Sequence, residues 1–132
     1  MSEFQFAKYK YFLFSENPDE LVKFYINSLG CTIRKKLDFP KDYGYSLRFN
    51  DQYDFWLAKH DQVHGKNQDP YRHMLNIYTD HVQPVFEKVK EYPGVTIVQE
   101  PICMGEFVPG ETNFVCTILD PDGNCLQFMG QL

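Results

Sequence analysis

The chain has 132 residues, of which 43% are hydrophobic and 17% aromatic, a composition typical of a globular domain rather than a disordered segment. Its formal charge is −5, which disfavours nucleic acid as a partner because phosphate binding needs a basic surface. No apolar run has membrane-spanning length, and the first residues lack the layout of a signal peptide. Four cysteines without a CxxC pair favour reduced thiols. We therefore expect a cytoplasmic protein that binds neither nucleic acid nor membrane.

The first half of the chain predicts a strand, a helix and three further strands. An aromatic-rich strand covers residues 9–15. A helix follows it, because Asn17 is a capping residue, Pro18 suits the first helical turn and Gly30 suits the helix end. Alternating apolar and polar residues then predict three strands, over residues 31–39, 43–50 and 54–60.

The second half repeats this order after a polar linker over residues 61–70. A strand over residues 73–78 leads into a helix capped by Thr79 and Asp80, and that helix ends before Pro93. Three more strands are predicted, over residues 95–99, 112–119 and 124–129. One βαβββ plan is therefore present twice, as a first module of about residues 1–60 and a second of about residues 71–132.

A turn between the last two predicted strands carries a family resemblance. Pro121 presets one backbone angle of the sequence Asp-Pro-Asp-Gly, and Gly123 accepts a positive φ. In this setting the turn resembles the closing hairpin of the vicinal-oxygen-chelate superfamily, which includes glyoxalases, bleomycin-resistance proteins and extradiol dioxygenases. Members that bind a metal usually have Glu where this chain has Gln127.

The resemblance covers nearly the whole chain and implies an α+β fold. Tandem βαβββ modules would form a single domain, a half-open curved barrel with its helices outside. A ferredoxin-like α+β domain is the rival interpretation, but it explains one module without the closing strands of both. By family analogy we also expect a homodimer.

The resemblance further implies a cleft on which four side chains converge. It places Lys10 and His73 at the first-strand positions, Gln127 at the final Glu position and Trp56 at the remaining one. A shift of one residue in the fourth strand would put other side chains on the inward face, namely Asp54 or Ala58. Phe12 and Tyr45 are expected to add aromatic surface to the same cleft.

These four side chains form a poor metal site. A divalent ion such as Zn²⁺, Ni²⁺, Mn²⁺ or Fe²⁺ needs several lone-pair donors and negative charge. Lys10 offers a cation, Trp56 an indole N–H and Gln127 a neutral carbonyl, so that His73 alone is a good ligand. Glu106 and Glu111 lie in a loop over residues 103–111 that could bring a carboxylate over the cleft, and they are weak metal candidates with His73 and Gln127.

Three functions are compatible with these residues. The first is a metal-free protein that binds a small molecule, aromatic or cationic, as bleomycin-resistance proteins do. The second is a metal-dependent glyoxalase-type lyase or isomerase, or a dioxygenase, with an atypical ligand set. The third is metal-free catalysis, with Lys10 as base or Schiff-base nucleophile and His73 as its proton partner. The missing ligands favour the first function.

Overall fold

The computed structural model describes residues 3–132, which form two α-helices, a short 3₁₀ helix and eight strands. Neither α-helix in residues 3–132 is long and apolar enough to cross a membrane. In chain order the elements are β1 (Tyr11–Ser15), α1 (Pro18–Asn27), β2 (Thr32–Phe39), β3 (Asp42–Phe49), β4 (Tyr53–Lys59), β5 (Met74–His81), α2 (Val82–Val89), β6 (Thr96–Cys103), the 3₁₀ helix (Met104–Glu106), β7 (Phe114–Leu119) and β8 (Cys125–Gln131).

The strands form two four-stranded mixed sheets, one for each module. Sheet 1 has the order β1-β4-β3-β2, and sheet 2 has the order β5-β8-β7-β6. In both sheets the first strand of the module pairs in parallel with the last, while the other neighbours are antiparallel. The described strands close no barrel. The predicted α+β fold with a duplicated βαβββ plan is thereby confirmed.

Each sheet has one face against its helix and one face away from it, which we call the open face. In β1 and β4, Leu13 and Leu57 are register partners, and both are buried on the helix side. Because side chains alternate along a strand, the neighbouring pair Phe12 and Trp56 lies on the open face. The strand register therefore determines whether a predicted site residue lies on the helix side or on the open face.

The largest differences from the predicted element boundaries are at the ends of β5 and β6. The second helix was expected to be capped at Thr79 and Asp80, but β5 continues to His81, which pairs with Gln131. Gly130 permits this extension, because a Cβ there would lie 1.8 Å from the carbonyl oxygen of Thr79. Strand β6 also runs to Cys103, four residues beyond its predicted end.

A buried carboxylate joins the two modules. Tyr25 of α1 donates its hydroxyl proton to Asp120 Oδ2 at 2.7 Å, across 95 residues of sequence. The backbone N–H groups of Asp122 and Asn124 donate to Asp120 Oδ1, each at 2.9 Å, and the Asn124 amide adds bonds to both oxygens. Burial raises the pKa of Asp120, and these donors oppose that rise.

Two further contacts cross the same boundary. Ser15 donates to Asp122 Oδ2 at 2.6 Å, so the end of β1 is tied to the turn before β8. The rings of Phe24 and Tyr92 meet edge to face with centroids 5.4 Å apart. Both modules consequently contribute to a single buried cluster.

Loss of the Tyr25–Asp120 bond should destabilise the whole chain. We expect Tyr25→Phe and Asp120→Asn each to lower the free energy of unfolding by about 1 to 3 kcal/mol, because a buried partner is left unsatisfied. In the double variant the two losses should not add, with a coupling of roughly 0.5 to 3 kcal/mol. Urea denaturation measures these quantities. Tyr43→Phe is the matched control, since its bond to Asp19 is exposed, and additive losses would contradict the coupling.

The thiols should differ in reactivity. All four cysteines are free, and three of them, Cys31, Cys116 and Cys125, are buried. Burial raises the pKa of Cys31 to about 12 and that of Cys116 to about 11, which removes the reactive thiolate at neutral pH. We expect iodoacetamide at pH 8 to label Cys103 first in the folded chain, as read by peptide mass spectrometry. Labelling of a Cys103→Ser variant at the same early rate would refute this.

Candidate functional site

The open face of sheet 1 brings together three of the predicted site residues. Phe12 of β1 and Trp56 of β4 are register partners, and the Phe12 side chain is 53% exposed. Lys10 lies just before β1, with its Nζ 5.9 Å from the centroid of the Trp56 ring. The resulting contact is a cation–π pair. The predicted proximity of Lys10 to Trp56 is thus present in the structure.

An ion pair borders these aromatic rings. Arg48 and Asp54 are register partners in β3 and β4, and Asp54 lies two residues before Trp56 on the same face. Arg48 Nε is 2.5 Å from Asp54 Oδ1, and Nη2 is 3.0 Å from Oδ2. This bidentate bond from Arg48 holds the pKa of Asp54 below its usual value, with smaller contributions from Lys10 and Arg34.

Gln127 lies on the open face of sheet 2 in a neutral polar environment. Its Nε2 donates to Oδ1 of Asn76, its partner on β5, at 3.1 Å. Thr117 of β7 is its partner on the other side. Gln127 therefore has amide and hydroxyl neighbours within its own sheet.

His73 does not share the strand face of Gln127. Alternation along β5 puts Asn76 and Met74 on that face, whereas His73 precedes the strand. Its position instead lines a pocket of about 590 Å³ beside β1. The convergence of His73 with Gln127 that the resemblance implied is thus not supported by the strand geometry.

The pocket beside β1 is formed by four parts of the chain. Phe12 and Phe14 line it from β1, His73 lines it from the start of the second module, and the linker lies across it. The linker contributes residues 62–68, and the turn before β8 contributes two more side chains, Asp122 and Asn124. A cavity of this volume is within the range of small-molecule sites, which is about 300 to 1,000 Å³.

The linker is held in place over the pocket by hydrogen bonds to both modules. Gly65 N–H donates to Glu16 Oε2 at 2.9 Å, and Asn67 N–H donates to the carbonyl of Asp122 at 2.8 Å. Nearby, His60 packs edge to face on Phe14 with ring centroids 5.1 Å apart. The predicted polar linker is therefore part of the pocket wall.

Tyr45 requires a correction, because it is on the opposite side of sheet 1 from Trp56. Its register partner Leu57 is buried against the helix, and the Tyr45 hydroxyl donates to Asp19 Oδ1 at 2.5 Å. That bond raises the pKa of Tyr45. Tyr45 was expected in the cleft, but strand alternation gives it a structural role against α1.

The loop after β6 keeps its carboxylates outside this pocket. It folds on itself, with the N–H groups of Phe107 and Val108 donating to the Met104 carbonyl at 3.0 and 2.8 Å. Glu106 and Glu111 are both exposed, and neither belongs to the pocket wall. The lid that the sequence suggested over the cleft of Lys10, Trp56 and Gln127 stays a prediction.

The side chains that the resemblance assigned to ligand positions do not fit a divalent metal. Lys10 is paired with an aromatic ring, Gln127 bonds an amide, and His73 lies away from the Gln127 face. Within residues 3–132, no three His, Cys, Asp or Glu side chains are grouped so that they could hold a metal ion. A cation such as Lys10 beside the site also opposes a second positive charge.

Sequence reasoning missed the contribution of the linker to the pocket. His64, Lys66 and Asn67 line it, although they lie in the segment that was predicted only as a polar linker. The contacts that bring this segment to β1 and the β7–β8 turn span 49 to 57 residues. Composition and periodicity report neighbours within a few positions, and so carried no signal for these contacts.

Comparison with known proteins supports the fold. No protein-family model matches the sequence, and no curated protein is significantly similar to it. Among solved structures, a glyoxylase/bleomycin resistance protein/dioxygenase domain from Frankia sp. matches with a TM-score of 0.74 and 13% identity, covering 97% of this chain and 99% of that one. A hypothetical protein from S. aureus matches with a TM-score of 0.73 and 20% identity, over 97% and 96% of the two chains.

Glyoxalase I also has a similar structure. Glyoxalase I from Zea mays matches with a TM-score of 0.69 and 21% identity over 91% of this chain, and the match spans only 43% of the maize chain. These identities are low, so the similarity is one of architecture. The chain therefore has the fold shared by glyoxalase I and the glyoxalase/bleomycin resistance protein/dioxygenase domain.

Proposed function

We propose that this chain is a small-molecule-binding protein of the glyoxalase/bleomycin-resistance type, whose site works without a metal. The observation that carries the proposal is the pairing of Lys10 with Trp56 beside an exposed Phe12. The resemblance assigns Lys10 and Trp56 to ligand positions of metal-binding relatives, and together with Phe12 they offer a ring surface in place of lone pairs. The pocket of about 590 Å³ adjoins them through Phe12.

Aromatic surface supports binding rather than packing at this position. Phe12 and Trp56 are register partners on the open face, and Phe12 keeps half of its surface exposed. Exposed rings at the mouth of a pocket gain from a planar ligand that removes them from water. Lys10, Phe12, Trp56 and His73 are accordingly proposed as ligand contacts, while Gln127 would act only if a ligand spanned both sheets.

A metal-dependent lyase, isomerase or dioxygenase remains the alternative, and the donor chemistry argues against it. Catalysis with Lys10 as nucleophile is not favoured either, because Lys10 is exposed and its ammonium faces a ring. Activation of a lysine usually requires removal from water. Binding is the function that needs no group beyond those described.

Two further proposals concern the cellular context. A homodimer is supported by apolar side chains that remain exposed on the strands of both sheets, such as Ile33, Met74, Tyr78 and Val98. A cytoplasmic location is supported by four free thiols. Sedimentation velocity would test the homodimer, and a single species at 15.6 kDa over the micromolar range would refute it.

The first test of function uses Trp56, the sole tryptophan, as reporter. Planar aromatic compounds that enter the site should change its emission. Phe12→Ala should then weaken any such compound by about 1 to 3 kcal/mol, because a stacked ring loses its partner. Phe107→Ala is the matched control, since this ring is 59% exposed and lies outside the pocket. Equal losses in both variants would contradict the proposed site.

The second test concerns metal. Protein purified without an affinity tag should contain well under one equivalent of Zn, Ni, Mn or Fe by elemental analysis. Chelator treatment should leave the melting temperature unchanged, because only a ligand that binds the folded state adds stability. Stoichiometric metal that is lost in His73→Ala would refute the metal-free proposal and favour the enzyme.

A further inference from the structure

We propose that the ligand at Trp56 is a planar aromatic anion, with its ring on Phe12 and Trp56 and its negative group toward Lys10 and Arg48. This inference rests on the proposed function and names the chemical class of the compound. It also decides between the aromatic and cationic ligands that the sequence left open, in favour of an aromatic anion.

The position of Lys10 favours a ligand with a negative charge. Its ammonium lies 5.9 Å from the Trp56 centroid, which is the place where a cationic ligand would gain from the ring. An incoming cation would have to displace Lys10 or bear its repulsion. An anion would instead be attracted by the ammonium of Lys10 and by the edge of the Trp56 ring, whose hydrogens carry partial positive charge.

Arg48 adds a second positive group on the same face. Its bidentate bond to Asp54 uses two of five N–H donors, so other donors stay available. The depressed pKa of Asp54 reflects Arg48 first, then Lys10 and Arg34. Three cations, Lys10, Arg34 and Arg48, thus interact here with two carboxylates, Asp54 and Asp51, although the whole chain carries a charge of −5.

The aromatic platform has the shape for a flat ring. Phe12, Trp56 and Ser46 are aligned across three neighbouring strands, β1, β4 and β3. Adjacent strands are about 4.8 Å apart, so the three positions span roughly the length of a fused two-ring system. Ser46 is small and buried, and leaves the Trp56 ring accessible from that side.

An aromatic carboxylate and an aromatic phosphate ester would present the same chemistry here. Both place an oxyanion on a flat ring, and both accept bidentate hydrogen bonds from a guanidinium. Arg48 already forms such a bidentate pair with the carboxylate of Asp54. The binding experiment below includes both anions so that their affinities separate the two sources.

The experiment is a calorimetric titration of the full chain with ring-matched probes. These are 2-naphthoate, 2-naphthyl phosphate, neutral 2-naphthamide and cationic 2-naphthylmethylammonium. We expect at least one anion to bind roughly tenfold or more tightly than the amide, and the cation to bind more weakly than both. The preference should shrink between about 20 and 500 mM salt, because salt screens exposed charges.

Single substitutions test which residues produce the preference for an anion over the neutral amide. Lys10→Gln and Arg48→Gln should each reduce the anion-to-amide ratio severalfold, whereas Asp54→Asn should increase it by removing the competing carboxylate. Lys36→Gln is the matched control, because Lys36 Nζ lies 5.4 and 5.5 Å from the ring centroids of Tyr43 and Tyr45 on the helix side of the same sheet. It removes the same charge from the other face and should leave the ratio unchanged.

The outcomes separate the two proposals. Equal affinity for the anions and the amide, or tightest binding of the cation, would overturn the anion inference and leave the binding function standing. No binding of any naphthyl probe would overturn both. A preference that Lys36→Gln reduces as much as Lys10→Gln would also overturn the inference, because it would reflect net charge alone. Should Arg48→Gln fail to fold, the exposed Lys10 variant and the salt series carry the test.

Discussion

The bonds to the Asp120 carboxylate hold the architecture of this chain together. A buried acid is costly unless donors surround it, and here a tyrosine hydroxyl, two backbone N–H groups and an amide do so. The tyrosine belongs to the first module and the other donors to the second. The same contact that satisfies the acid therefore fixes how the two modules meet. The pocket beside β1 depends on that relation, since its walls come from both modules.

Much of the fold could be predicted from the sequence because its determinants are local. Helix α1 begins at Pro18 and is followed by Gly30 with its positive φ, as those two residues indicate, whereas the Asn17 side chain makes no capping hydrogen bond. The duplicated strand order follows from alternation and from turn residues such as Gly123, with its φ of 83°. The extension of β5 to His81 could not be seen in this way, since it depends on the missing side chain of Gly130 in another strand.

The candidate site could be predicted from the sequence only in part. Lys10 and Trp56 were placed together by family alignment, and the structure brings them into contact. Tyr45 was assigned to the wrong face of its strand, although its alternation with Ser46 was recognised, because a period of two does not say which face is inward. His73 was aligned one residue away from the strand face that Gln127 occupies. Such single-residue register errors change the chemistry of a site completely.

The position of β8 has a consequence for how the chain folds. This strand lies between β5 and β7, so β5 has its only described strand neighbour in residues 125–131. During synthesis, the backbone groups of β5 stay unpaired until some fifty further residues have been made. A hairpin such as β2–β3 can form as soon as its own two strands have been made. Long-range parallel pairing of this kind slows folding and leaves an exposed edge open to wrong partners. The first strand of sheet 1 is in the same situation, since β1 pairs in parallel with β4, and we expect β1 and β5 to be the strands that a chaperone protects.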